Sequence, residues 1–145
     1  MSSALADFML PVAPHNVLVV EDDDLIRRLL AEHLIARIHV EVDSARDGVE
    51  ALHQLAVKPY GVVILDLMMP KMSGTDLLDS LHALLSDPSV KSLESPPAVI
   101  VITAAPAAAL SDDVIRKRCP ETVRRVFRKP LDVPALARDV ESYLR

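Results

Sequence analysis

Three uninterrupted apolar runs constrain this chain more than any other feature: Val17-Leu18-Val19-Val20, Val62-Val63-Ile64-Leu65 and Ala98-Val99-Ile100-Val101-Ile102. A strand with one face in water alternates apolar and polar residues. A strand that is apolar at every position is buried on both faces, the situation of a parallel sheet covered by helices. The segments between the runs have helical spacing. Leu25, Ile26, Leu29, Leu30 and Leu34 follow the first run, and Val49, Leu52, Leu55 and Ala56 mark a helix over about 46–57 before the second. Leu77, Leu78, Leu81, Leu84 and Leu85 mark a third helix over about 75–85.

Weaker elements complete the pattern. His39 to Asp43 alternates and reads as a short edge strand. A weak helix is expected over about 107–118, a mixed-polarity strand from Thr122 to Arg128, and a closing helix over 132–144. Strand and helix thus alternate five times, which predicts parallel strands, right-handed crossovers and helices on both faces. The Ser- and Pro-rich stretch 86–97 reads as a loop, taken as a tolerated surface insertion rather than a partner-specific one.

Composition narrows the function. The 145 residues fit one domain. Aromatic residues are scarce and the net charge is −5, which argues against a nucleic-acid binder that stacks bases. No apolar stretch approaches the roughly 20 residues of a membrane span. A lone Cys119 excludes an internal disulfide and fits a reducing compartment, hence a cytoplasmic setting. His15, His33, His39, His53 and His82 show no metal-ligand spacing. Residues 1–15 read as an N-terminal extension, with Phe8, Met9 and Leu10 as a possible partner-binding segment, and 16–145 as the domain.

The functional groups stand at strand ends. The first run breaks into Glu21-Asp22-Asp23-Asp24, the second ends in Asp66, the third in Thr103, and Lys129 follows the last strand. In a doubly wound parallel sheet these ends share one edge, so the groups converge. Asp23 or Asp24 serves as a helix N-cap. Capping does not require four acids, and clustered carboxylates do not stay ionised together without a cation. Oxygen ligands at an open edge suit Mg²⁺. With a hydroxyl and an ammonium for phosphoryl oxygens, the set supports phosphoryl transfer to Asp66 as a carboxylate nucleophile.

Four pieces in this order, VLVVEDDD at 17–24, LDLMMPKMSG at 65–74, VIVITA at 99–104 and FRKP at 127–130, resemble the receiver domain of two-component response regulators. The resemblance covers about residues 15–145 and implies a flavodoxin-like five-stranded α/β sheet in the order 2-1-3-4-5. It implies that Asp66 accepts a phosphoryl group from a phosphohistidine of a sensor histidine kinase or histidine phosphotransfer protein. Glu21, Asp22, Asp66 and the backbone carbonyl of Met68 would hold Mg²⁺. Thr103 would be the switch hydroxyl and Lys129 the phosphoryl partner, with Lys129-Pro130 cis. Such a module is not an enzyme in the ordinary sense. It acts by changing its binding to a protein effector, or to a second copy, through the last helix and strand.

The chain also departs from the family's pattern. Val126 stands where the family carries an aromatic switch, and Phe127 should point to the opposite face from Thr103. Met68 and Ala105 occupy positions that tune dephosphorylation, and neither orients a water, so a long-lived phosphoryl-Asp66 is expected. Arg116, Lys117, Arg118, Arg124, Arg125 and Arg128 form a basic cluster, a solvated face or a surface for an acidic partner. The alternatives are a receiver cut from a longer regulator, such as a transcription factor, and a Mg²⁺-dependent phosphohydrolase. The hydrolase needs an acid where Met68 stands. A flavin carrier on the same fold lacks its phosphate loop here.

Overall fold

The computed structural model describes residues 14–69 and 71–144. The expected segment around Phe8, Met9 and Leu10 lies outside the described residues. In chain order the elements are β1 (Asn16–Val20), α1 (Asp24–Ile38), β2 (Glu41–Ala45), α2 (Gly48–Val57), β3 (Val62–Asp66), α3 (Gly74–Leu85), a 3-10 turn (Lys91–Leu93), β4 (Ala98–Thr103), α4 (Asp112–Arg116), β5 (Val123–Arg128) and α5 (Val133–Tyr143). The five strands are all parallel, in the order β2-β1-β3-β4-β5. This is the parallel α/β sheet that the alternating pattern implies, in the flavodoxin-like order that the resemblance implies.

The apolar strands explain the layers. Alternate residues of β1, β3 and β4 point to opposite faces. Leu18, Val20, Val63, Leu65, Val99 and Val101 pack with Ala51 and Leu55 of α2, Leu77, Leu78 and Leu81 of α3, and Ile115 of α4. Val17, Val19, Val62, Ile64, Ile100 and Ile102 pack with Leu30 and Leu34 of α1 and with Leu136, Ala137 and Val140 of α5. The helices start where short polar residues cap them. Asp23 accepts from Ile26 N–H, Asp47 from Glu50 N–H, Ser73 from Asp76 N–H, Ser111 from Val114 N–H and Asp132 from Ala135 N–H.

Several local expectations shift. The edge strand runs Glu41–Ala45 rather than 39–43, because its ladder must match β1, from Asn16↔Glu41 to Val20↔Ala45. Its Asp43 is held by Tyr60, whose buried phenol donates to Oδ2 at 2.6 Å, and by Lys58 at 2.9 Å. Leu25 and Leu29 of α1 and Val49 and Ala56 of α2 lie on exposed faces, so spacing alone drew those apolar stripes too wide. The helix expected over 107–118 shrinks to Asp112–Arg116. Ser111 caps it late, Pro106 to Leu110 close a separate turn, and Ile115 is its one buried side chain. The 86–97 connection does not stand off the surface: Leu93 is buried, and Ser92 Oγ donates to Leu55 O at 2.6 Å. Among the described residues, no helix is long and apolar enough to cross a membrane.

Candidate phosphoryl-acceptor site

β1, β3 and β4 end at one edge of the sheet, and the parallel register fixes what meets there. Val20 pairs with Leu65, and Asp66 pairs with Ile102. Glu21, one residue past β1, and Asp66, the last of β3, are therefore neighbours, and Thr103 lies one step beyond the partner of Asp66. Glu21 and Asp66 are both buried, while Asp22 stays exposed. One oxygen from each of Glu21, Asp22 and Asp66 lies within 4.8 Å of the others.

Lys129 reaches into this acidic group from the end of β5. Its Nζ donates to Glu21 Oε1 at 3.2 Å and to Asp66 Oδ2 at 3.3 Å. Its backbone N–H donates to Thr103 O at 2.8 Å, and the following Lys129-Pro130 bond is cis. The other oxygen of Asp66, Oδ1, accepts from Met68 N–H at 3.0 Å. Thr103 is fully buried at the same edge, with Oγ1 accepting from Ala105 N–H at 3.1 Å. The structure thus brings Glu21, Asp22, Asp66 and Lys129 together and sets Thr103 beside them, its hydroxyl engaged by its own loop. Met68 turns its side chain outward and is 63% exposed.

The electrostatics show a site short of positive charge. Burial, then the hydrogen bond and charge of Asp66, push the Glu21 carboxyl up to about 8, against the opposing pull of Lys129. Burial would lower the Lys129 ammonium, but the charge of Asp66 and the contacts with Glu21 outweigh it and raise it. Glu21 Oε2 is buried without a hydrogen-bond partner. A hard divalent cation bound there would satisfy that oxygen. The all-oxygen donor set of Glu21, Asp22 and Asp66 therefore fits Mg²⁺.

Two supports escaped the sequence reading. Arg27, one turn into α1, donates from Nη1 to Glu21 O at 2.9 Å and ion-pairs with Asp24. It ties the acidic turn to the helix behind it. A basic residue one turn after an acid run was its only signal. Gly74 opens α3 against the Asp66–Leu67 backbone, where a Cβ would lie 2.6 Å from Asp66 O and 2.5 Å from Leu67 Cα. That contact brings the start of α3 up to the acceptor loop. Phe127 pairs with Ile102 and packs on the α1/α5 side, whereas Val126 packs on the other face, as the alternation required.

Comparison with known proteins agrees with this geometry. The model of the response regulator receiver domain matches residues 17–141. The regulatory protein VanRB of Enterococcus faecalis is 33% identical over 131 residues, which cover 90% of this chain and 52% of VanRB. The chain therefore spans about half the length of that relative. A response regulator receiver protein from Pseudomonas putida is 26% identical, with a TM-score of 0.71 over 92% of this chain and 99% of that one. The response regulator protein TrrA of Thermotoga maritima, solved in complex with Mg²⁺-BeF, is 26% identical, with a TM-score of 0.69 over 88% of this chain and 97% of TrrA. With its sheet order, its acidic edge and this match over most of its length, the chain belongs to the family of response regulator receiver domains.

Proposed function

We propose that Asp66 is the phosphoacceptor of a two-component phosphorelay. The carrying observation is that Lys129 Nζ lies 3.3 Å from Asp66 Oδ2 at a strand end where Glu21 and Asp22 also stand. Asp66 attacks the phosphorus of a donor phosphohistidine. The new P–O bond forms as the N–P bond breaks, and the electron pair returns to the donor imidazole. Lys129 holds a phosphoryl oxygen, and Thr103 releases its loop contact to hydrogen-bond another. Glu21, Asp22, Asp66 and the Met68 carbonyl would hold Mg²⁺, which when bound neutralises the charge that gathers on the transferred group. TrrA's complex with Mg²⁺-BeF supports this reading. The unit that does this is residues 16–145, with 1–15 as an extension.

The donor is a sensor histidine kinase or a histidine phosphotransfer protein. An apolar groove beside Lys129, lined by Ile26, Leu29, Leu30, Pro130, Leu131 and Val133, gives such a protein a surface next to Asp66. Leu29, which lines it, is 55% exposed. The output is a protein effector or a second copy, met by α4, β5 and α5. Three arginines of that basic face are already paired, Arg118 with Asp79, Arg125 with Asp139 and Arg128 with Asp112, so its free charge is smaller than the sequence implied. Met68, whose exposed thioether cannot orient an attacking water, makes the phosphoryl group long-lived. The setting is cytoplasmic, where the donor kinases present their histidines.

The test is incubation of the chain with Mg²⁺ and a small phosphodonor, followed by intact-mass measurement. A single base-labile phosphoryl adduct is expected, absent in Asp66→Ala. No adduct at any donor concentration would overturn the reading. VanRB's length favours one second reading, a receiver that belongs to a longer regulator with an output domain of its own.

A further inference from the structure

Away from the acidic edge, three side chains from separate places in the sequence converge. His82 stands in the last turn of α3, and Cys119 and Glu121 lie in the turn between α4 and β5. His82 Nδ1 is 3.0 Å from Glu121 Oε2, and Cys119 Sγ is 3.7 Å from the same oxygen. One ligand atom from each of the three lies within 4.8 Å of the other two. The histidine spacing in the sequence hides this cluster, because its partners come from a segment about forty residues away that only the fold brings close.

The arrangement matches a transition-metal site. Zinc bonds to nitrogen and oxygen at about 2.0–2.2 Å and to sulfur at about 2.3 Å, so tetrahedral ligands sit about 3.3–3.6 Å apart. The separations of 3.0 and 3.7 Å lie on either side of that range, and the His82 and Cys119 ligand atoms lie within 4.8 Å of each other. Thr122 Oγ1 donates to Cys119 Sγ at 3.1 Å, the kind of outer hydrogen bond that orients a metal-bound thiolate. His82 lies at the negative end of the α3 dipole, which favours a cation. The neighbouring Arg118 is occupied by Asp79 at 3.0 Å and does not compete for Glu121. As a mere surface contact the His82–Glu121 pair, with both side chains half exposed, would contribute little.

We propose that His82, Cys119 and Glu121 form a Zn²⁺ site that ties α3 to the turn before β5. Three protein ligands leave a fourth position for water on the open side, between the half-exposed His82 and Glu121. The Cys119 proton passes to solvent as the thiolate binds the metal. The nitrogen and sulfur donors select a borderline-soft ion and reject Mg²⁺, so this site and the acidic edge hold different metals at once.

The full chain, stripped of metal, is titrated with Zn²⁺ by calorimetry and with Co²⁺ by absorption. One Zn²⁺ per chain is expected, undisturbed by excess Mg²⁺, and Co²⁺ should show a thiolate charge-transfer band. His82→Gln, a change at an exposed position, should weaken Zn²⁺ binding at least about tenfold, as loss of a ligand must exceed the effect of losing an outer contact. Cys119→Ser should abolish the band. Absence of the band in the unmutated chain, or Zn²⁺ affinity unchanged in His82→Gln, overturns the proposal.

Discussion

Lys129 Nζ sits between two buried carboxylates, 3.3 Å from Asp66 Oδ2 and 3.2 Å from Glu21 Oε1. One ammonium serves two acids 108 and 63 positions away in the chain. Breaking a buried ion pair by removing one partner costs about 3–5 kcal/mol. The Lys129 side chain keeps 23% of its surface exposed, and screening reduces the expectation to about 1–2 kcal/mol. Lys129→Met should therefore lose about that much stability in urea without metal. Mg²⁺ should restore more stability to the variant than it adds to the unmutated chain. Equal Mg²⁺ effects in both would contradict the charge balance described for the site.

The Glu21 carboxyl gives a pH dependence of definite sign. Its ordinary value is 4.5, and burial with Asp66 beside it pushes it up to about 8. Between those values the unfolded chain releases the proton while the folded chain keeps it. The folded state then binds more protons, and stability falls as pH rises through that window. Urea midpoints of metal-free protein should decline from about pH 5 to about pH 8. Glu21→Gln should flatten the decline. An equal slope in that variant would show that another group is responsible.

Met68 stands at the mouth of the site with its N–H on Asp66 Oδ1. Its thioether is a weak acceptor and a poor guide for water. Met68→Asn keeps the N–H and adds an amide that can hold a water. Loss of the phosphoryl group, followed by intact mass after donor removal, should speed up about tenfold, less than the roughly 10²–10⁴-fold of a side chain that itself transfers the proton. An unchanged decay would rule out Met68 as the residue that sets the lifetime of the phosphoryl group.

Gly74 is required by contact rather than by backbone angle. A Cβ there meets the Asp66 carbonyl oxygen and Leu67 Cα, which cannot swing aside as a side-chain end can. Gly74→Ala should cost about 1–3 kcal/mol as an overpacked position. It should also slow phosphoryl uptake, because the acceptor loop must move away from α3. Full stability with normal uptake would mean that the start of α3 yields freely.

The sequence by itself determined the architecture and which charged residues gather at the acidic edge. Runs such as Val62 to Leu65 are stable only with both faces covered, which forces a parallel sheet and brings the ends of β1, β3, β4 and β5 to one edge. Glu21, Asp22, Asp66 and Thr103 were legible because each ends or closely follows such a strand, and Lys129 because it follows the mixed-polarity last strand. Even the face taken by Phe127 followed from strand alternation. The tertiary structure decided what local pattern cannot encode. The register of β1 against β2 moved the edge strand by two residues, and the packing of α1 left Leu25 and Leu29 outside. Arg27 found the carbonyl of Glu21, and Gly74 found the backbone beside Asp66. His82 met Cys119 and Glu121 across about forty residues of chain. Burial and periodicity are properties of a segment and its neighbours in sequence. A contact between segments depends on register and helix placement, which only the packed whole fixes.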